Sequence, residues 1–240
     1  MTLTQQTLGE IVASNYQAAS VFEKYNIDFC CQGDRLFVDA CHAAGVDDEA
    51  IAAELSNLQA PTDGVDFQQW PIDLLTSFIQ SRHHQYIERI TPTIKQLLDK
   101  ICEVHGDHHP ELLEIRDIFN SSSGDLAVHM KKEELILFPF IRQLSLAKQN
   151  RKTVKSKLFD SVTNPIHDMK DDHLDEGEQL ERMASISNHY TPPQDACMSF
   201  VTTYKMLKEY EMDMHQHIHL ENNILFPAAI KLEEELTTIL

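Results

Sequence analysis

The sequence predicts an all-α protein: an antiparallel four-helix bundle preceded by a small helical module. Three observations carry the helical reading. Apolar residues recur at spacings of three and four over long stretches, the period of a helix with one buried face. Only 7 Gly and 9 Pro interrupt 240 residues, and β-branched runs are few, which disfavours a sheet. Finally, HMKKEELILFP from His129 returns 88 residues later as HIHLENNILFP from His217, six identities in eleven positions. A spacing of four puts His129 with Glu133, and His217 with Glu221, on one helical face.

Residues 1–57 read as the helical module, with apolar periodicity through Leu8, Ile11, Val12, Val21, Phe22 and Tyr25, and with Gly33 and Gly45 as punctuation. The stretch from Ser56 to Trp70 lacks helical pattern and carries Pro61 and Gly64, so residues 58–70 read as a linker. The bundle then occupies 71–240. Its first helix runs from Pro71 through Leu75, Ile79, Ile87, Ile94, Leu98 and Ile101, and stops near His105 and Gly106. The second extends from Pro110 to Leu146 with Ile115, Phe119, Leu126, Ile136 and Phe140 inward, and with a kink expected at Ser121 to Gly124. Asn164 as cap and Pro165 at the first helical position open the third, which ends before Tyr190. Thr191 to Pro193 open the fourth, with Phe200, Leu207, Met214, Ile224 and Ala228 inward. Four long helices with modest connections define a bundle.

Bulk properties exclude several function classes. Lys plus Arg number 20 against 38 Asp plus Glu, a net charge of −18, and no basic run exists to follow phosphates. Neither nucleic acid nor membrane is expected as a partner. No apolar stretch approaches the roughly 20 residues needed to span a bilayer, and MTLTQQTLGEI lacks the basic and apolar regions of a signal peptide, so a cytoplasmic location is expected. Five cysteines at irregular positions do not form a disulfide pattern.

Polar residues placed on the apolar stripes carry the chemistry. The inward line of the second helix passes through His129 and Glu133, that of the fourth through His217 and Glu221, and that of the third through His173 and Glu176. Buried imidazoles and carboxylates are costly unless partnered or bound to metal. Imidazole plus carboxylate without thiolate suits iron or manganese better than structural zinc. HExxH and CxxCH are both absent, which disfavours a metalloprotease or a c-type haem. The first helix offers His83 and His84, between which periodicity does not choose. His105 stands about 31 Å further along and reads as a helix-end residue contacting terminal carbonyls. His215 and His219 lie about 200° around the helix from His217 and are expected to face away. For Glu176 an ion pair is at least as well supported as a metal role.

With these segments in place, the chain resembles hemerythrin-like di-iron proteins, and more closely the Repair of Iron Centres family of the ScdA/YtfE type. LGEIVASNYQAASVFEKYNIDFCCQG is similar to that family's N-terminal module. SRHHQYIERITP, HMKKEELILFP, DDHLDEGE and HIHLENNILFP are similar to its metal-binding segments. The resemblance implies a non-haem di-iron centre, two oxo-bridged irons held by His84, His129, Glu133, His173, His217 and Glu221, with both glutamates bridging. It also implies outer or channel carboxylates at Asp125 and Asp172, and thiol chemistry or partner contact at Cys30 and Cys31. Cys41, Cys102 and Cys197 are expected to be packed.

The function implied is repair of iron–sulfur clusters damaged by nitrosative or oxidative stress, with the centre donating iron. Damaged or apo iron–sulfur proteins are then the partners, NO and O2 the small gas ligands, and a homodimer stays open as an assembly. Iron donation is favoured over turnover catalysis. A di-iron nitric oxide reductase forming N2O is the alternative, followed by a hemerythrin-like O2 or NO carrier or sensor.

Overall fold

The computed structural model describes residues 3–58, 65–150 and 161–238. Residues 1–2 of the expected module, 59–64 of the expected linker, and 151–160 and 239–240 of the expected bundle lie outside them. Among the described residues there is no β-strand, only an isolated bridge between Thr7 and Leu36.

Four short helices form the N-terminal part: α1 (Leu8–Ser14), α2 (Ala18–Lys24), α3 (Phe37–Ala44) and α4 (Asp48–Ser56). Thr7 and Glu10 close a capping box on α1, so two otherwise unpaired amides are satisfied. Gly45, at φ 68°, ends α3 in the left-handed conformation that glycine adopts without steric cost.

Four long helices follow. Helix α5 comprises Ile72–Ile79, a π-helical turn Gln80–His84, and Gln85–His105. Helix α6 comprises Glu111–Lys132, a π turn Glu133–Leu137, and Phe138–Asn150; α7 is Thr163–Ile186; α8 comprises Met198–Leu220, a π turn Glu221–Leu225, and Phe226–Thr238. Helix α6 passes through Ser121 to Gly124 as continuous α-helix, where a kink was expected. Helix α7 starts one residue before its expected cap, because Glu233 from α8 accepts the Val162 amide at 3.0 Å and replaces a local side-chain cap. Helix α8 starts at Met198, after Thr191 to Cys197 rather than at them.

The π turns change which residues face inward. Each adds one residue to a turn, so the buried line advances by one position beyond it. On α6 the line continues through Leu137 and Ile141, leaving Ile136 39% exposed. On α8 it continues through Leu225 and Ala229 rather than through Ala228. In α6 and α8 the turn immediately precedes Phe-Pro, where proline supplies no amide and would crowd the carbonyl four residues back. Widening the turn relieves that conflict.

The polar residues form a layer between two apolar clusters. One contains Leu75, Ile79, Phe138, Ile141, Ile166 and Leu225. The other joins Ile94, Phe119, Leu180 and Phe200 of the bundle to Phe22, Phe29 and Phe37 of the N-terminal helices. The two parts therefore share a core despite the linker expected between them. Contact is close enough that a Cβ added at Gly33 would lie 2.2 Å from Asn223 Oδ1. Asn223 Nδ2 donates to Phe29 O at 3.1 Å and to His219 Nδ1 at 3.0 Å, so it cannot turn away without losing both. Gly33→Ala is expected to cost about 1–3 kcal/mol, the range for overpacking, and to raise hydrogen exchange in α1–α3 while α5–α7 stay protected. Unchanged exchange in α1–α3 would contradict this contact.

Candidate metal centre

His84, His129, Glu133, His173, His217 and Glu221 converge in the polar layer, each 3% exposed or less. Two groups of four possible ligands result: His84, Glu133, His217 and Glu221; and His129, Glu133, His173 and Glu221. Both glutamates belong to both groups, and their oxygens divide accordingly. Glu133 Oε2 lies 3.4 Å from His84 Nε2, and its Oε1 lies 3.5 Å from His129 Nε2. Glu221 Oε1 lies 3.1 Å from His217 Nε2, and its Oε2 lies 3.2 Å from His173 Nε2. Among the described residues neither carboxylate has a protein hydrogen bond at either oxygen, although all four are buried. Unpartnered buried oxygens facing imidazole nitrogens fit cations placed between them. Nitrogen and oxygen donors without sulfur suit iron.

The outer nitrogens of the four converging histidines are mostly held. His84 Nδ1 lies 3.0 Å from Glu134 Oε1, His129 Nδ1 lies 3.1 Å from Asp172 Oδ2, and His173 Nδ1 donates to Asn222 Oδ1 at 2.9 Å. Such contacts fix ring orientation and tune affinity. Asp172 was among the carboxylates expected near the site, whereas Glu134 and Asn222 were not. Each missed residue directly follows a candidate ligand at the start of a π turn, so an unbroken helical wheel misplaces it. Asp125 is exposed; its nearest role is electrostatic, toward Glu176.

Electrostatics show what the cluster does without metal. Burial pushes the His84 imidazolium down, but Glu133 and Glu221 outweigh it and raise the group to about 10. His129 is likewise opposed by burial and raised to about 9, chiefly by Glu133. Burial and mutual repulsion raise Glu133, but His129 and His84 bring it below the ordinary carboxylate value. Burial also raises Glu221, and His217 with the other imidazoles takes it well below. Two protons thus sit among the carboxylates where cations would.

Of the histidine doublet, His84 enters the cluster. His83 is also fully buried, with Nδ1 3.1 Å from Asp213 Oδ2 and its ring stacked on His217 at 5.7 Å. Glu176 is buried and accepts from the Ser122 hydroxyl at 2.8 Å; it belongs to neither four-residue group and forms no ion pair among the described residues.

Several expectations are corrected. His215 and His219 do point away from the cluster, but the N-terminal helices cover them. Phe29 lies 6.0 Å from each ring, His215 Nδ1 is 3.3 Å from Glu23, and burial pushes His219 down to about 4. His105 contacts the Cys197 sulfur at 3.1 Å rather than terminal carbonyls. Cys197 is exposed rather than packed, whereas Cys41 and Cys102 are buried.

Cys30 and Cys31 lie against the centre. Cys31 Sγ donates to His173 O at 3.2 Å, and Asn222, which holds His173, also donates to Cys30 O at 3.2 Å.

Residues 77–229 match the hemerythrin HHE cation-binding domain, and residues 4–59 match ScdA_N, a domain of unknown function. An iron-sulfur cluster repair protein YtfE of Yersinia pseudotuberculosis serotype IB (strain PB1/+) is 33% identical over 97% of this chain and 100% of its own length. The chain belongs to the ScdA/YtfE family. A second relative with the same description, from Yersinia pestis (strain Pestoides F), is 32% identical over the same shares. As a family member the chain carries a hemerythrin-type cation-binding domain, and the buried histidine–glutamate groups that could hold a metal ion lie within the matched residues.

Two outer contacts are open to test. Asp172→Asn and Glu134→Gln are each expected to weaken metal affinity about 10–100-fold, the usual cost of losing a partner behind a ligand. Competition with a chelator measures it, and parental affinity in both variants would show these contacts to be incidental.

Proposed function

We propose that this protein repairs damaged iron–sulfur clusters by donating iron from a two-iron centre held by His84, His129, Glu133, His173, His217 and Glu221. The observation that carries the reading is the division of oxygens: Glu133 and Glu221 each turn one oxygen to each histidine pair. Two cations would share both carboxylates, each with two imidazoles of its own. When bound, iron supplies an exchangeable cation with free positions for small ligands such as NO or O2.

The protein's own groups support donation. Once iron leaves, His84 and His129 take up protons and pair with the carboxylates, so departure strands no buried charge. Asp172, 40% exposed, reaches from His129 to Lys132 at the surface and offers a carboxylate outside the closed cluster. The N-terminal helices (1–57) and the bundle (71–240) form the two parts of this device. Iron–sulfur proteins are its partners and the cytoplasm its compartment. All five cysteines are free, and no described helix is long and apolar enough to cross a membrane.

Reduced protein loaded with isotopically labelled iron, mixed with an apo iron–sulfur protein, sulfide and thiol, should lose label to the rebuilt cluster. If label stays in place while NO is consumed over many turnovers, donation fails and the reductase reading replaces it.

A further inference from the structure

The geometry points to an additional cation site, separate from the histidine–glutamate centre, at Asp28, Cys30 and Cys31. One ligand atom from each lies within 4.8 Å of the others. The two sulfurs are 3.7 Å apart, far beyond a disulfide bond of about 2.05 Å. That separation matches the sulfur–sulfur edge, about 3.8 Å, of a tetrahedral cation with metal–sulfur bonds of about 2.3 Å. Asp28 Oδ1 is 3.4 Å from Cys30 Sγ, close to the corresponding sulfur–oxygen edge. Adjacent cysteines rarely present both sulfurs to one point. Here Asp28 Oδ1 accepts the Cys30 and Cys31 amides at 3.1 and 2.9 Å, which folds the segment so that both do.

The segment is also held from outside. Asn222 and Asn223 bond the Cys30 carbonyl, and Cys31 Sγ touches the His173 carbonyl. Gly177 leaves room for that sulfur, since a Cβ there would come within 2.9 Å of it. Cys30 is 3% exposed, whereas Cys31 is half-buried.

Two thiolates and one carboxylate select a thiophilic divalent cation such as ferrous or zinc ion. Three protein donors leave a fourth tetrahedral position for an external thiolate or sulfide. Binding there goes beyond the repair reading and does not depend on it; if repair holds, the site is where iron meets sulfur ligands next to its store.

Cobaltous ion is the probe, added without oxygen to iron-loaded full-length protein carrying Cys197→Ser, which removes the exposed thiol beside His105. One extra cobalt per chain should bind with a sulfur-to-cobalt charge-transfer band, while iron content stays constant. Cys30→Ser with Cys31→Ser should abolish the band, and Asp28→Asn should weaken binding at least about tenfold, the lower end for partners outside the ligand set. Bound cobalt should also slow alkylation of Cys31 tenfold or more, a readout that needs no change at the site. Absence of the band in the parent, its survival without both cysteines, or alkylation indifferent to cobalt would overturn the site. A cobalt–sulfur band together with no labelled-iron transfer would sink the repair reading and leave this one standing.

Discussion

Glu221→Ala is expected to remove both cations, and Glu133→Ala to do the same, whereas His215→Ala and His219→Ala keep them. The reason is topological. Each glutamate faces both histidine pairs with separate oxygens, so either loss opens both positions at once. His215 and His219 face the N-terminal helices instead. Affinity should fall more than about 100-fold in the glutamate variants, beyond the range for partners behind a ligand. The metal-free protein should suffer too, because the His84 and His129 imidazoliums then share one carboxylate; breaking a buried pair costs about 3–5 kcal/mol. Metal analysis and thermal unfolding check both statements. Equal metal loss in all four variants would refute the helical-face assignment, and loss of half the metal in Glu221→Ala would refute sharing.

Five of the six converging residues, His129, Glu133, His173, His217 and Glu221, were legible because they lie on strong apolar stripes, and imidazole beside carboxylate in a core is costly unless a cation or a proton joins them. Choosing His84 over His83 was not legible from periodicity. A π turn ends at His84, and the buried line steps by five from Ile79 to His84, so a regular count forward from Ile79 leads to His83 while one back from Ile87 leads to His84. The same irregularity hid Glu134 and Asn222 and misplaced Ile136. Leu-Phe-Pro in both repeats was the available signal, since a proline six residues past a buried glutamate lacks an amide for the turn between them, which a wider turn accommodates. Packing of the N-terminal helices was hidden by distance along the chain. Polar residues such as His215, His219 and Asn223 resemble a solvated face unless their partners are known. Those partners, Glu23, Phe29 and the Cys30 carbonyl, are almost 200 positions away.

Metal loading near neutral pH is expected to release about two protons per chain, and apparent affinity to rise steeply with pH until about 9 to 10. Burial disfavours charge on His84 and His129, but Glu133 and Glu221 overcome it and lift the imidazoles to about 10 and about 9, from a reference near 6.5. Both are therefore protonated in the metal-free protein at neutral pH, and both must lose that proton to bind a cation. Protons thus compete with metal across a window well above the ordinary histidine range, and acidification favours release throughout it. Because the folded values lie above the unfolded one, these pairs stabilise the metal-free protein fully below about 6.5, and that stability is lost as pH rises through 9 to 10. The metal-loaded protein carries no such protons and should not follow. Calorimetric titration in buffers of different ionisation enthalpy counts the released protons, and melting temperatures of the two forms should converge below neutrality and separate above pH 9. No proton release near neutral pH, or a metal-free melting temperature that climbs through that upper window, would show that the carboxylates are not paired with imidazolium before metal arrives.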